Sequence, residues 1–321
     1  MTARVSVALA SYNGERFLAD QLRSILEQTH PVQQIVIADD GSEDASLAIA
    51  RQLLANWSGE LTILEPSHRA LGVTRNFERA LRASTGEVIA LADQDDVWHP
   101  NKIERMIDTL GDGLLAFSDA NLVGADAVPL PGQPTLFAGL GLTDWERAQI
   151  MAGDAWSVLL RRNVVTGATT LLRRELLDAA GEFPNGWVHD EWLAITAAAL
   201  GGVRLGEDPT IDYRQHEANQ IGMRSRLNWQ IRLERLRAPR TTRNLRLLRR
   251  AESLAARAHL WSEQAALDAE EKLAHEQIRS RLPVARLDRI PELRREAATG
   301  RYHRFGLGRQ DILRDLVQPV D

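Results

Sequence analysis

The chain contains no cysteine. That absence excludes a disulfide framework, a thiolate metal site and a catalytic thiol together. Long hydrophobic runs are missing too. The longest nearly uncharged stretch, residues 193–203, falls well short of the roughly 20 residues that a membrane-crossing helix requires. Any membrane contact is therefore expected to be peripheral. The apolar segment that follows Met1-Thr2-Ala3-Arg4 is interrupted by Asn13, Gly14, Glu15 and Arg16, too early for a secretory leader. The expected location is the cytoplasm, with the inner face of the plasma membrane as a peripheral site. No internal repeat or low-complexity tract occurs, and no G-x-G-x-x-G follows the first strand, which argues against a dinucleotide enzyme.

What is present fits a globular α/β protein. An apolar fraction of 44% and a charged fraction of 26% sit at globular averages and exclude a disordered or collagen-like chain. The 321 residues allow one large domain with an appendage or two ordinary domains. Short β-branched runs at 5–9, 34–38, 61–64, 88–92 and 114–117 alternate with amphipathic stretches at 15–28, 44–57, 74–83 and 100–110, the pattern of a mostly parallel βαβ sheet. Beyond these, residues 123–134 read as a surface loop over the sheet edge. Helices are expected at 144–151, 174–180 and from Glu191 to about residue 200, and a short strand at 168–172.

In open sheets of this kind ligands collect outside the carboxyl ends of the strands. Here the first strand ends in Ser11-Tyr12-Asn13-Gly14, the second in Asp39-Asp40-Gly41-Ser42 and the fourth in Asp93-Gln94-Asp95-Asp96. Clustered carboxylates repel one another and are costly unless a positive charge sits among them. A divalent cation relieves that cost, and Mg²⁺ or Mn²⁺ favours a few carboxylates together with phosphate oxygens and water. Other readings stay open. The acidic turn at 93–96 could cap the helix near Pro100, Ser42 or Asp44 could cap the helix that follows them at 44–57, and Tyr12 could pack under a loop.

These motifs resemble glycosyltransferase family 2, of the GT-A fold, with residues 72–76 ahead of the third helix and Asp93-Gln94-Asp95-Asp96-Val97-Trp98 as further points of likeness. Gly167-Ala168-Thr169-Thr170, His189-Asp190-Glu191-Trp192 and Tyr213-Arg214-Gln215-His216, followed by Asn219 and Gly222, look like the branch that contains bacterial rhamnosyltransferases. The likeness covers residues 4–222, and the end from Gly300-Arg301-Tyr302 to Asp311 and Asp315 is similar to that branch's tail. It implies a Rossmann-like GT-A catalytic domain over 1–222 and an Arg-rich helical extension over 223–321.

The resemblance further implies roles. Tyr12 would lie against the nucleotide base, Asp39 would accept a hydrogen bond from it, and Asp40 and Arg75 would belong to the nucleotide site. Asp93 would contact the ribose or the metal shell, Asp95 would ligate Mg²⁺ or Mn²⁺ against the diphosphate, and His216 would be a further metal or phosphate ligand or a loop-fixing histidine. Asp190 would be the general base of an inverting transfer, with Glu191 as its neighbour and helix capping as the alternative for both. Trp187 and Trp192 would stack on a sugar or pack the domain. The donor would be a nucleoside-diphosphate sugar, with L-rhamnose as the suggested sugar, and the acceptor a glycan or lipid-linked saccharide of the cell surface.

Ten arginines and one glutamate lie between Arg224 and Arg250, with Leu227, Trp229, Ile231, Leu233 and Leu236 among them. Packing or homodimerisation through these helices is the first expectation, anionic lipid the second and nucleic acid the last. A non-catalytic sugar-nucleotide scaffold and a sugar-phosphate nucleotidyltransferase are the rival functions. The first would be expected to lose Asp93, Asp95 or Asp190, and the second to carry a Gly-rich basic segment after the first strand.

Overall fold

The computed structural model describes residues 3–65, 70–130, 135–216 and 239–320. Residues 224–237 of the arginine-rich stretch, with Trp229, and also Asn219 and Gly222, lie outside them. Two compact units are present: one comprises 1–155, 164–183 and 187–222, and the other Trp156–Asn163, Pro184–Gly186 and Met223–Asp321, each as far as described.

The first unit is built on one mixed sheet ordered β3-β2-β1-β4-β7-β6-β8-β5. Its strands are β1 (Val5–Ser11), β2 (Gln34–Asp39), β3 (Glu60–Leu64), β4 (Val88–Asp93), β5 (Val97–Trp98), β6 (Leu115–Val123), β7 (Thr170–Arg173) and β8 (Val203–Arg214). The pairs β1–β2, β1–β4, β2–β3 and β6–β8 are parallel, whereas β4–β7, β6–β7 and β5–β8 are antiparallel. β1, β2 and β4 are mostly apolar on both faces because both faces of a parallel sheet are covered. Val5, Val7, Leu9, Ile35, Ile37, Ile89 and Leu91 are accordingly buried.

Helices α1 (Leu18–Leu26), α2 (Ser46–Leu54), α3 (Val73–Ala83) and α4 (Lys102–Leu110) follow successive strands. α1 buries Leu18, Leu22 and Ile25, and α4 buries Ile103, Met106 and Leu110, each a one-sided stripe at helical spacing. Further along come α5 (Leu136–Leu140), α6 (Asp144–Met151), α7 (Ala155–Arg161), α8 (Leu176–Ala180) and α9 (His189–Ala199). Past its polar first turn α9 is buried all round, with every residue from Trp192 to Ala198 buried, as in an interior helix.

Several expectations change. β6 continues to Val123, beyond the anticipated end at 117, and β8 was not anticipated at all. β7 starts at Thr170 because Gly167–Thr169 is a 3-10 turn. α1 and α2 begin later than read, because the polar residues before them are used in the loops: Glu15 Oε2 accepts from Ala45 N–H at 3.1 Å and Asp44 Oδ2 from Glu15 N–H at 3.0 Å. The aspartates 93–96 are not helix caps, since the N-cap of α4 is Asn101 and carries no side-chain cap bond.

The second unit is helical, with helices Arg240–Ala258, Glu263–Ser280, Arg289–Ala298, Arg301–Phe305 and Arg309–Val317. Its interior holds a paired charge network. Arg279 Nε donates to Asp315 Oδ2 at 2.7 Å and its Nη1 to Glu276 Oε2 at 3.0 Å. Arg243 reaches Asp311 at 2.6 Å and Asp315 at 3.2 Å, and the Tyr302 hydroxyl donates to Asp315 at 2.9 Å. Arg240, almost fully buried, donates to the carbonyls of Arg279, Leu282 and Pro283. Arg240 and Arg243 of the arginine-rich stretch are thus internal ties. No helix among the described residues is long and apolar enough to cross a membrane.

Candidate active site

Register assembles the site. β1 pairs with β2 and β4 so that Ser11 lies opposite Asp39 and Ala10 opposite Asp93. Three loops therefore leave the sheet side by side, where the chain order reverses between β1 and β4, the place at which such sheets bind ligands.

The β1 loop is tied down on both sides. The Gln94 side chain accepts from Tyr12 N–H at 2.9 Å and donates to Tyr12 C=O at 3.0 Å, and it accepts from the Ser11 hydroxyl at 3.2 Å. A Cβ on Gly14 would lie 2.2 Å from Gln94 Oε1, so no larger residue fits there without moving this clamp. Asn13 takes a positive φ of 48°, a conformation Asn tolerates. Its side-chain oxygen accepts from Glu43 N–H at 2.9 Å. The Tyr12 side chain is left 45% exposed, a ring offered to whatever enters the cleft.

Asp39 is fully buried, and its carboxylate accepts from Gly41 N–H at 3.0 Å, Ser42 N–H at 2.7 Å and Ser42 Oγ at 2.6 Å. It organises its own loop. Asp40 accepts from Leu71 N–H at 2.7 Å and Gly72 N–H at 2.8 Å, which fixes the entry to α3. Arg75, in the first turn of α3, pairs with Glu78 at 2.6 Å and Glu182 at 3.4 Å.

The β4 loop carries the charge. Asp93 is held up to about 7 by burial first, then by the like charges of Asp95 and Asp190, with Lys102 opposing. Asp96 is also held well above the usual carboxylate range, by burial and by Asp95 and Asp93. Its Oδ1 accepts from Arg214 N–H at 3.0 Å, while its buried Oδ2 has no hydrogen-bond partner among the described residues. Lys102 is a fully buried lysine beneath this cluster, pushed down to about 7 by burial against the pull of Asp96 and Asp93. Its ammonium lies 3.9 Å from the Trp98 ring centre. The buried Tyr213 phenol is raised by burial and by Asp93, Asp96, Asp95 and Asp190. All four acids therefore act on one small region.

His216 Nε2 lies 2.7 Å from Asp95 Oδ2, and the imidazole sits 4.6 Å from the Phe17 ring. Among the described residues no group of three or more His, Asp and Glu side chains is arranged to hold a metal by itself. A hard divalent ion bound mainly through phosphate and water needs only one or two protein carboxylates. Asp93 and Asp95, repelling each other at the strand end, are a donor set that fits such an ion.

Asp190 lies in the first turn of α9, behind the N-cap Val188. Its Oδ2 accepts from Gly167 N–H at 2.9 Å and its Oδ1 from Glu191 N–H at 2.7 Å. Glu191 instead turns back toward Val188 N–H at 3.4 Å. Trp187 and Trp192 pack edge to face at 5.2 Å, both buried, and the Trp192 indole donates to Ala180 C=O. The sugar-stacking reading of these tryptophans is corrected to packing.

Gln94, Asp96, Lys102, Gly167 and Tyr213 are site residues to which the sequence reading gave no individual role. A lysine at the first position of α4 opposes the helix dipole, and that misplacement was a usable signal for a nearby acid cluster.

The profile of glycosyl transferase family 2 matches residues 6–180. An uncharacterized glycosyltransferase of Nostoc sp. is 36% identical over 223 residues, which is 67% of this chain and 66% of that protein. The dTDP-rhamnosyl transferase of Shigella flexneri is 26% identical over 222 residues, 67% of this chain and 73% of its own. The chain thus spans just under two thirds of the Nostoc relative's length. Among solved structures, a mannosyltransferase of Pyrobaculum calidifontis in complex with GDP-Man and Mn²⁺ superposes with a TM-score of 0.51 at 20% identity, covering 94% of this chain and 76% of that one. That likeness supports the GT-A α/β fold.

Proposed function

The chain belongs to glycosyltransferase family 2, and from that premise we propose that it transfers a sugar, with inversion, from a nucleoside-diphosphate sugar to a hydroxyl of a glycan or lipid-linked saccharide in cell-surface polysaccharide synthesis. The observation that carries this reading is the convergence of Asp93, Asp95 and Asp190, where burial first and then the like charges of Asp95 and Asp190 hold Asp93 up to about 7. Such an arrangement suits a site that receives positive charge.

In this proposal Tyr12 stacks on the base, Asp39 accepts from it through a free lone pair, Asp40 shapes the loop beneath it, and Arg75 exchanges Glu182 for the nucleotide. Asp93 and Asp95 would hold Mg²⁺ or Mn²⁺, with His216 as a further ligand or as the partner that orients Asp95. The cation, when bound, would offset charge growing on the departing diphosphate. Asp190 takes the acceptor hydroxyl proton as the acceptor oxygen bonds to the anomeric carbon. The bond from that carbon to the phosphate oxygen breaks, and its electron pair leaves with the diphosphate. One carboxylate suffices because no covalent enzyme intermediate forms. The Shigella relative, a dTDP-rhamnosyl transferase, favours rhamnose as the sugar, and the Pyrobaculum complex favours a metal-assisted donor site.

The test is nucleoside diphosphate release from a panel of nucleotide sugars with Mn²⁺, Mg²⁺ or chelator. Turnover that needs the ion supports the reading, whereas donor binding indifferent to metal with no turnover on any acceptor points to a scaffold. Asp190→Asn is expected to keep donor affinity and lower turnover by two or more orders of magnitude, roughly 100-fold being typical of general-base loss. Near-normal turnover would remove Asp190 from that role.

A further inference from the structure

The 3-10 turn Gly167–Thr169 joins two parts of the first unit that the sequence keeps far apart. On one side Ala168 C=O accepts from Lys102 Nζ at 2.6 Å, and Lys102 lies under the Asp93 and Asp96 carboxylates. On the other side Gly167 N–H donates to Asp190 Oδ2 at 2.9 Å. The turn is stiffened from within, since the Thr169 and Thr170 hydroxyls both donate to Thr166 C=O, at 3.0 and 2.9 Å.

We propose that this turn is a strut that sets the Asp190 carboxylate relative to the Asp93–Asp95 edge, with Gly167 and Lys102 as its positioning residues; this rests on the reading of Asp190 as the base. Gly167 is required for space, its φ being unexceptional. A Cβ there would lie 2.8 Å from His189 Nε2, 3.6 Å from Asp190 Cβ and 3.7 Å from Asp190 Oδ2. His189 has nowhere to retreat, because it is buried and stacked on Phe77 with ring centres 4.0 Å apart and planes 22° apart. Neither of its ring nitrogens has a hydrogen-bond partner among the described residues. The imidazole therefore acts as a wedge, and an added methyl group pushes on the Asp190 turn.

Misplacing a catalytic group by about 1 Å costs on the order of 100-fold in rate. Gly167→Ala is expected to lower kcat by roughly 30- to 100-fold while donor affinity, read by calorimetry, stays within about twofold. In an Asp190→Asn background the same change should cost almost nothing more, because there is no base left to misplace. Gly167→Ala with His189→Ala, which removes the wedge, should regain at least about tenfold of the loss. Normal kcat in Gly167→Ala, or a full additive loss on top of Asp190→Asn, overturns the proposal. Should Gly167→Ala fail to fold by thermal melting, Lys102→Met tests the other end: its kcat loss must vanish in the Asp190→Asn background, and a persisting loss overturns the strut. The premise fails separately, through near-normal turnover of Asp190→Asn alone.

Discussion

Asp315 and Asp93 are both carboxylates at positions where water alone cannot stabilise them, and their surroundings have opposite signs. Asp315 is fully buried but meets Arg279 at 2.7 Å, Arg243 at 3.2 Å and the Tyr302 hydroxyl at 2.9 Å. Arg289 braces the same helix end through the Asp315, Leu316 and Gln318 carbonyls. Asp93 feels the like charges of Asp95 and Asp190, with Lys102 opposing them. A cluster whose charges cancel holds helices together; a cluster left acidic holds a place for a ligand. The sheet unit accepts a standing electrostatic cost that the helical unit avoids.

The largest effect that would break this contrast is in the helical unit. Asp315→Ala leaves buried Arg279 with Glu276 alone among the described residues and takes a partner from Arg243 and Tyr302, and removing one partner of a buried ion pair costs about 3–5 kcal/mol. Chemical denaturation should show that loss, and a cost below about 1 kcal/mol would mean that the network is ornamental. The second effect has the opposite sign. Asp93→Asn removes a repelled carboxylate and should stabilise the metal-free protein by on the order of 1–2 kcal/mol, while abolishing metal-dependent donor binding. Because the folded-state value is raised from 3.8 to about 7, the wild type loses stability as pH rises through that window. The advantage of the variant should therefore open between pH 4 and 7 and stay level above it. A variant less stable than the wild type at pH 8 would show that the cluster is balanced after all. The smallest effect sharpens the comparison. Gln94→Ala frees the Tyr12 loop without touching a charge, and it should raise the donor KM by about fivefold, near 1 kcal/mol, with kcat little changed.

How much of this was legible follows from the residues themselves. β1, β2 and β4 declare themselves as short, mostly apolar runs that end in polar residues, and their parallel register then brings Ser11, Asp39 and Asp93 together with no further information. β8 hid because Gly206, Glu207, Asp208 and Pro209 interrupt it. Glu207 and Asp208 are exposed, and the ladder with β6 shifts register twice there. Such a segment reads as a loop from its own residues and becomes a strand only through its partner. Gln94 was masked by the aspartates on either side, since its work is done on the Tyr12 backbone, which no pattern of side chains records. Lys102 carried only the weak signal of a cation at a helix start, and its burial under the acids depends on the tertiary fold. For the described arginines of the tail, packing was the first expectation but its partners could not be named: Arg240 and Arg243 lie at helical spacing among polar neighbours, and both turn inward to carbonyls and acids contributed by residues far along the chain. Only tertiary structure supplies those partners.

The second unit's membership has a practical corollary. It includes residues 156–163 and 184–186, and the Trp156 indole donates to Asp268 at 2.9 Å. A chimera that exchanges tails at a single junction after residue 222 would leave Trp156 facing a foreign helix. Recombining this chain with a relative calls for five crossovers, two around each internal segment and one before the tail, so that the internal segments travel with the helices they belong to.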